Sequence, residues 1–219
     1  MPTALVRPPP ASLPPATGER PDRKSAILLA AEKLFAQRGY HGVSIRQIAA
    51  EAGVPVALVG YYYGAKHELF HAIFAHWQPT IEARLALLRE AVAQTRAQPA
   101  ALHRIVSAFV EPVLRMRASP EGEFYALLVS RELLYVRDET DRVLREFFDP
   151  LAHTFIDALH TVRPQATRAQ TAWAYQFALG ALLHHTSDRR VQRLSRGANP
   201  PNDAAAAPLL IRFITAGIV

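Results

Sequence analysis

The apolar residues that follow position 26 recur at helical intervals. One face of the first predicted helix carries apolar side chains at i, i+3, i+4, i+7 and i+8, namely Ile27, Ala30, Ala31, Leu34 and Phe35. Gly39 follows this stretch and is the residue at which the helix is expected to end. The chain therefore enters its ordered part with an amphipathic helix of about four turns.

Two shorter helices follow in quick succession. Ser44 and Gln47 have the spacing of a capping box, which marks the start of the second helix. That helix should stop before Gly53, because glycine readily adopts the left-handed backbone conformation of a tight turn. Pro55 is expected to open the third helix, where its missing N–H costs nothing. The order of helix, short helix, glycine turn and short helix predicts a helix-turn-helix unit.

The rest of the chain is helical in pattern, and no convincing strand alternation interrupts it. Six segments are predicted, over residues 66–94, 99–117, 121–136, 139–162, 167–188 and 204–217. Pro79 and Pro150 fall inside two of them and should kink or split those helices. We therefore expect an all-α fold of about nine helices, with an N-terminal helix-turn-helix head of three helices and a larger helical body.

The predicted division of the chain follows composition as well as periodicity. Residues 1–20 contain six prolines and no periodicity, which indicates a disordered tail. Residues 21–66 form the predicted head, and residues 67–219 form the predicted body. The whole chain has a net charge of +6, and residues 20–66 alone account for a net of +4. A basic excess in a short segment is expected of a domain that meets phosphates.

The remaining composition narrows the class of protein. The chain has no cysteine, which removes disulfides and thiolate metal sites and fits a reducing compartment. The N-terminal segment has no apolar core of a signal peptide, and no apolar stretch is long enough to span a bilayer. We therefore expect a cytoplasmic protein without membrane contact. Neither a nucleophile motif nor a phosphate-cradling glycine loop is present, so no enzyme activity and no cofactor are expected.

A series of short motifs stands in register over about residues 22–70: Leu34-Phe35, Gly39-Tyr40-His41-Gly42-Val43-Ser44, Ile48-Ala49, Ala52-Gly53-Val54, Tyr61-Tyr62-Tyr63 and Lys66-His67-Glu68-Leu69. Through these motifs the first third of the chain resembles the TetR family of bacterial transcriptional regulators. It implies a DNA-binding head in which Tyr63 is a buried aromatic residue that holds the recognition helix on Leu34, Phe35 and Ile48. The body matches that family in layout.

The same resemblance implies the residues that meet DNA. They are Ser44, Arg46, Pro55, Val56, Ala57, Gly60, Tyr61, Tyr62 and Lys66. Tyrosine can donate to a phosphate oxygen, and arginine to guanine is the commonest specific contact. The recognition positions from Pro55 to Gly60 offer almost no side chain for a bidentate hydrogen bond to a base. Readout by Arg46, thymine methyls and DNA shape, or weak intrinsic specificity rescued by dimerisation, both remain open.

A helix-turn-helix head reads a half-site, so we expect a two-fold homodimer on a palindromic operator. The last two helices are the candidate interface, through Trp173, Phe177, Gly180, Leu183, Leu210, Phe213 and Ile214. By the family resemblance, the body should also hold a small-molecule effector in a mostly apolar pocket. Its candidate wall residues are Trp77, Phe109, Leu128, Tyr135 and Trp173, with Arg131 as a candidate anchor for an anionic ligand. The identity of the effector is left unknown.

One motif favours a different class of protein. His67-Glu68-x-x-His71 has the spacing of a zinc peptidase site, in which two histidines bind zinc and glutamate activates water. The extended form of the motif requires glycine at 74 and histidine at 77, where Phe74 and Trp77 stand. His153, Asp157 and His160 also have helical spacing for a metal, although surface histidines are far commoner than ligands. We expect no metal.

The interpretation reached from the sequence is a ligand-responsive DNA-binding transcriptional regulator. It is expected to repress, to bind double-stranded DNA as a dimer and to be released by a small, largely apolar effector. The alternatives are the zinc metallopeptidase, a DNA binder that needs no effector, and a binder of DNA without sequence preference.

Overall fold

The computed structural model describes residues 22–94, 100–134 and 138–218, with the backbone alone for residues 138–140. The predicted tail and Tyr135 lie outside the described residues. Within those ranges the protein is all-α and has no strand. The helices are α1 (Arg23–Arg38), α2 (Ile45–Glu51), α3 (Val56–Tyr63), α4 (Lys66–Ala93), α5 (Ala100–Ala118), α6 (Glu123–Leu134), α7 (Asp138–Val143), α8 (Asp149–Val162), α9 (Arg168–Ser187), α10 (Val191–Leu194) and α11 (Ala207–Gly217).

The helices of the head begin and end where their local chemistry requires. The Ser44 Oγ accepts from the Gln47 N–H at 3.3 Å, while the Gln47 Oε1 accepts from the Ser44 N–H at 2.8 Å. The predicted capping box is therefore confirmed. Gly53 has φ +65° in the turn between α2 and α3, as expected for that position. Pro55 is the N-cap of α3, so the helix begins at Val56, one residue after the predicted start.

The prolines of the body behave differently from one another. Pro79 does not split α4, which is a single helix from Lys66 to Ala93. Pro79 and Ala75 are both exposed, so water can reach the Ala75 carbonyl that the proline ring leaves without its helical donor. Pro150 lies in the first turn of α8 and follows a π-helical segment, Leu144–Phe148. The predicted segment over residues 139–162 is thus broken at this point, as expected.

Two clusters of buried apolar residues form the core. The first joins the head to α4, α6 and the π-helical segment, and includes Phe35, Val59, Phe74, Leu128 and Phe147. The second lies within the body and includes Leu88, Phe109, Phe155, Leu182 and Ile211. The predicted boundary at residues 66 and 67 coincides with the start of α4, but the first cluster continues across it. The head is therefore packed directly on the part of the body formed by α4, α6 and the π-helical segment.

Two further observations complete the description. The short helix α10 had no counterpart in the sequence pattern, because four residues are too few to establish a helical period. Across residues 22–94, 100–134 and 138–218, no helix combines the length and the apolar character needed to cross a membrane.

Candidate DNA interface and ligand cavity

The recognition helix α3 presents an almost uncharged surface to solvent. Pro55, Val56, Ala57 and Gly60 are all exposed, whereas Val59 points the other way and is fully buried. No heavy atom lies within 4 Å of the position that a Cβ on Gly60 would take. This side of the helix is therefore smooth enough for its backbone to approach a ligand closely.

The three tyrosines of α3 have three different environments. Tyr61 is 79% exposed, and its ring meets the half-buried ring of Tyr62 edge-to-face at 5.2 Å. The Tyr63 hydroxyl donates to the backbone carbonyl of Lys24 at 2.9 Å. Burial, with a smaller contribution from the charge of Asp22, raises the pKa of Tyr63 to about 12. Tyr63 therefore remains a protonated donor that fastens the end of α3 to the start of α1.

This contact brings the basic start of α1 beside the recognition helix. Arg23 and Lys24 are exposed, and the Lys24 Nζ lies 5.8 Å from the centre of the Tyr63 ring. The sequence interpretation did not name either residue as a DNA contact. The sequence shows only that these two basic residues precede the first apolar face. The hydrogen bond of Tyr63 to Lys24 shows that they lie beside the recognition helix.

The remaining predicted DNA residues are also accessible. Ser44 and Arg46 are exposed at the start of α2, and Arg46 has no ion pair or side-chain hydrogen bond within the described residues. Lys66 is half-buried, and its Nζ lies 4.3 Å above the ring of Tyr40 in a cation–π contact. The ring limits the positions that the ammonium group can take at the first turn of α4.

A small cavity lies in the body at the boundary between the two core clusters. It encloses about 50 Å³, which is room for a few water molecules. Its wall is mostly apolar and includes Ile81, Phe109, Val113, Met116, Phe148 and Leu182. Because the wall takes residues from both clusters, filling the cavity would act on the contact between them.

The predicted ligand residues are dispersed around this cavity. Phe109 lines it. Leu128 is fully buried in the first core cluster and does not line it, while Trp173 is largely exposed on the outside of α9. Trp77 stacks on the cavity residue Tyr125, with ring centres 4.8 Å apart. Tyr135 lies outside the described residues.

Arg131 belongs to the junction of head and body and does not line the cavity. Its guanidinium lies 2.7 Å from the point that a Cβ on Gly39 would occupy. Gly39 is buried and has φ +74°, a left-handed conformation that favours glycine. The residues of α6 that line the cavity are Ala126, Val129, Ser130 and Leu133, which are spaced along one helix face that Arg131 does not share. Arg131 therefore lies where α6 meets the end of α1.

The polar groups of the cavity come from residues that the sequence interpretation did not name. Arg84, Tyr125 and Tyr175 line it. The Nε of Arg84 and the hydroxyl of Tyr125 are both shielded from solvent and have no hydrogen-bond partner. Burial lowers the pKa of Arg84, raises the pKa of Tyr125, and raises the pKa of Tyr175 to about 12. Both phenols are therefore neutral donors at ordinary pH, beside a cationic side chain.

Tyr125 also connects the cavity to the head. Glu32 on α1 is only 2% exposed and accepts from the Trp77 Nε1 at 2.7 Å and from the backbone N–H of Tyr125. Burial outweighs these two hydrogen bonds and raises the pKa of Glu32 to about 7. One residue, Tyr125, thus belongs to the cavity wall, stacks its ring on Trp77 and donates its N–H to a helix of the head.

The last helices expose a second apolar surface, which we call the α9–α11 face. It consists of Trp173, Phe177, Leu209 and Phe213, with Phe177 69% and Phe213 70% exposed. Trp173 and Phe177 stack at 5.8 Å, and Gly180 is open beside them. The other predicted interface residues lie inward: Leu183 and Ile214 are buried in the protomer, and Leu210 is half-buried against the second core cluster.

The residues of the zinc motif do not converge. His67 is exposed, while the Nε2 of His71 lies 2.8 Å from the Glu146 Oε2. Asp157, of the second candidate set, forms an ion pair with Arg168. Within the part of the chain that the structure describes, no three histidine or acidic side chains are grouped as a metal site would require. His71 instead joins α4 to the π-helical segment.

A helix-turn-helix head with an exposed recognition helix, packed on a helical body that contains a cavity, defines a ligand-responsive DNA-binding transcriptional regulator. Family models agree with this class. Residues 27–73 match the bacterial regulatory proteins of the tetR family, and residues 107–217 match the tetracyclin repressor-like C-terminal domain. The chain belongs to the TetR family. Regulators of this family bind DNA and typically act as homodimers with small-molecule effectors, and the family is not known for enzymes.

Individual relatives share less than a third of their residues with this chain. The chain is 29% identical over 210 residues to the HTH-type transcriptional regulator BetI of Brucella anthropi, covering 91% of this chain and 95% of that protein. The hemolysin II transcriptional regulator HlyIIR shares the fold with a TM-score of 0.59 at 18% identity, over 89% of this chain and 96% of that one. A tetR-family regulator from Shewanella sp. PV-4 has a TM-score of 0.60 at 17% identity, over 90% and 97%.

Proposed function

We propose that this regulator is a homodimeric repressor that binds a palindromic operator and is released from it by a small, largely apolar effector. Residues 21–66 would form the DNA-binding unit, and residues 67–219 the ligand-binding and dimerisation unit. The observation that carries this proposal is the position of Tyr125, which belongs at once to the cavity wall and to the contact with α1. A ligand that moves Tyr125 must disturb the orientation of the head.

The proposed DNA contacts divide by chemistry. Arg46 would reach a base edge, while Val56 and Ala57 would meet thymine methyl groups in the major groove. Ser44, Tyr61, Tyr62 and Lys66, together with the newly recognised Arg23 and Lys24, would contact phosphates and fix the register. Their exposure and the basic charge of the head support this assignment.

The proposed dimer would form through the α9–α11 face. A cluster of four large exposed apolar side chains is unfavourable in water and is typical of a protein interface. Gly180 would let the partner helix approach closely, because no heavy atom stands near its Cβ position. Leu183, Leu210 and Ile214 would act from behind this surface as core residues, with little direct contact to the partner.

The test is selection of genomic DNA fragments by the purified protein at near-physiological salt, beside the variants Arg46→Ala and Arg38→Ala. The wild-type protein should select a palindrome whose half-sites lie about one helical turn apart. Arg46→Ala should weaken binding by about 1–3 kcal/mol and relax the preference at one base pair per half-site. Arg38→Ala removes an exposed arginine at the other end of α1 and should leave the selected sequence unchanged.

Two results would contradict the proposal. Indiscriminate recovery of fragments by the wild-type protein, with a steep loss at higher salt, would identify a binder without sequence preference. If transcription in vitro from a promoter that contains the selected palindrome rises when the protein is added, the role as a repressor is wrong, although the DNA-binding assignment stands.

A further inference from the structure

Arg84 places a cationic side chain in the wall of an apolar cavity without a counter-ion. The residue as a whole keeps some exposure, but its Nε is shielded from solvent and has no acceptor. No ion pair to Arg84 exists within the described residues. A partly buried cation without a counter-ion is unfavourable, and arginines in such positions are usually paired.

Two acidic groups act through their charge on the tyrosines of the cavity wall, and neither forms an ion pair with Arg84. Glu32 accepts from Trp77 and from the Tyr125 backbone, and burial shifts its pKa toward the neutral form. Asp149 is exposed at the start of α8 and acts on Tyr175 through its charge. The charge of Arg84 is felt by Tyr125 and Tyr175, neither of which can carry a negative charge at neutral pH. The protein therefore leaves the cation without an anion.

A second and independent observation lies in the same wall. Tyr125 is 2% exposed and belongs to the cavity wall, and its buried hydroxyl has no hydrogen-bond partner. Because burial raises the pKa of Tyr125, its hydroxyl stays protonated and can donate a hydrogen bond. The Nε edge of an arginine can donate two parallel hydrogen bonds to one carboxylate. Two donors without hydrogen-bond partners thus belong to residues in the wall of one small cavity, whose lining is otherwise mostly aliphatic and aromatic.

We propose that this cavity binds a monocarboxylate with an apolar body, with Arg84 as the counter-ion and the Tyr125 hydroxyl as a further donor. The inference rests on the proposed function for its regulatory meaning, since it assigns the chemical class of the effector. The apolar body of the ligand would lie against Phe109, Val113, Met116 and Phe148. Binding would satisfy both donors and neutralise the charge of Arg84. An alcohol of the same length could accept from both donors without neutralising that charge, and an ammonium group could accept from neither.

The volume of the cavity gives the binding event a mechanical consequence. At about 50 Å³ it is well below the few hundred Å³ of a typical ligand site. A ligand larger than a few waters must therefore separate the wall residues of the two core clusters. Met116 is unbranched and adapts easily to such a change. Tyr125 is the wall residue whose displacement reaches Glu32 and the head.

The experiment measures binding to the full chain without DNA, by isothermal titration calorimetry with octanoate, 1-octanol and octylamine. Octanoate should bind at least about tenfold more tightly than 1-octanol, because hydrogen bonds to a charged group are stronger than those between neutral groups. Octylamine should bind more weakly than either, since its charge repels Arg84. The carboxylates from butyrate to dodecanoate, measured in the same way, define the length that the cavity accommodates.

Variants separate the charge from the shape of the cavity. Arg84→Met keeps the length of the side chain and should weaken octanoate by about tenfold or more while leaving 1-octanol unchanged. Tyr125→Phe removes only the hydroxyl and should weaken octanoate by about threefold to tenfold. Arg89→Met makes the same substitution at an exposed position of α4 and should behave as the wild-type protein. Melting curves of each variant establish that it is folded.

The proposal is overturned if no carboxylate of the series binds saturably, or if octanoate and 1-octanol bind the wild-type protein equally well. The comparison within the wild-type protein holds even if Arg84→Met fails to fold. Failure here is distinct from failure of the proposed function, because operator selection is measured without any ligand. A regulator that selects its palindrome but ignores carboxylates would keep its DNA assignment and lose this one.

Discussion

Proteins usually bury apolar side chains and expose polar ones. The recognition helix and the ligand cavity both depart from this rule, the helix by exposing apolar residues and the cavity by enclosing polar groups. On α3 the side facing solvent is apolar or aromatic, with Val56 and Tyr61 well exposed. In the cavity a cation and a hydroxyl lie among aliphatic and aromatic side chains without partners. Exposed apolar residues and buried unpaired charges are each unfavourable in an isolated protein. Both regions therefore indicate a binding partner.

The two regions also differ in how complete they are before the partner arrives. The surface of α3 is already presented, since Tyr63 and the capping box of α2 fix the head without DNA. The cavity must enlarge before it can hold more than a few waters. DNA binding can thus proceed on a preformed surface, whereas effector binding requires a rearrangement. This difference is what allows one event to control the other.

The largest effect is expected at the α9–α11 face. Like α3, this face exposes apolar residues to solvent, but it is not proposed to contact DNA. Phe213→Glu places a charge among Trp173, Phe177 and Leu209 in the proposed dimer. We expect the protein to become monomeric and its operator affinity to fall by about a hundredfold or more, since one head reads only half of a palindrome. Sedimentation velocity and a gel-shift titration measure the two quantities.

A matched substitution shows whether the location matters. Leu87 is also an exposed apolar residue, but it lies on α4 in a groove with α5. Leu87→Glu should leave both the dimer and the operator affinity unchanged. If Phe213→Glu stays dimeric, the exposed apolar residues of this face have another purpose, and the interface lies elsewhere.

The second effect concerns Glu32. Unlike the Nε of Arg84, the buried carboxyl of Glu32 has hydrogen-bond partners. Its pKa is about 7 in the folded protein against 4.5 for an unperturbed carboxyl. For a raised pKa, the stabilising contribution is complete below pH 4.5 and is lost as the pH rises through 7. The wild-type protein should therefore lose about 3 kcal/mol of unfolding free energy from this group between pH 5 and pH 8.

Glu32→Gln removes the ionisation and retains an acceptor for the Trp77 Nε1. Denaturant titrations across this pH range should show a flatter profile for the variant than for the wild-type protein. Glu82→Gln makes the same change at an exposed site of α4 and should keep the wild-type profile. Parallel profiles for wild type and Glu32→Gln would mean that Glu32 stays charged throughout, contrary to its burial.

The smallest effect tests how closely α3 approaches DNA. Gly60 is exposed within the helix, and nothing lies near its Cβ position. Gly60→Ala should raise the free energy of unfolding by about 0.5–1 kcal/mol, because alanine favours a helix. The same methyl group should lower operator affinity a few-fold by holding the helix away from the groove. Thermal melting and gel-shift titration of one preparation separate these effects, and unchanged affinity would argue against close approach at this position.

The head could be predicted from the sequence because its signals are local. The capping box of Ser44 and Gln47, the turn at Gly53 and the apolar face of α1 each depend on residues within a few positions of one another. The residues expected at the DNA lie within one short stretch, and the structure leaves them accessible or half-buried. Their contacts with DNA remain predictions.

The cavity could not be predicted, because its members come from distant parts of the chain. Arg84, Tyr125 and Tyr175 lie on α4, α6 and α9, and no spacing rule connects them. Arg131 was the cationic residue chosen from the sequence, but it lies on the side of α6 that meets α1. Which side of a helix faces a cavity depends on tertiary packing, and the sequence spacing does not show it. Leu183 and Ile214 illustrate the same limit, because an apolar residue in a helix can face either the core or a partner.

The small volume of the cavity also bears on the speed of regulation. If the open form is a minor species, the measured dissociation constant of the effector is the intrinsic constant divided by the open fraction. The rate of capture at high effector concentration is then limited by how often the body opens, and it reaches a plateau instead of rising with concentration. By thermodynamic reciprocity, operator DNA that favours the closed body must weaken effector binding by the same factor by which the effector weakens DNA binding.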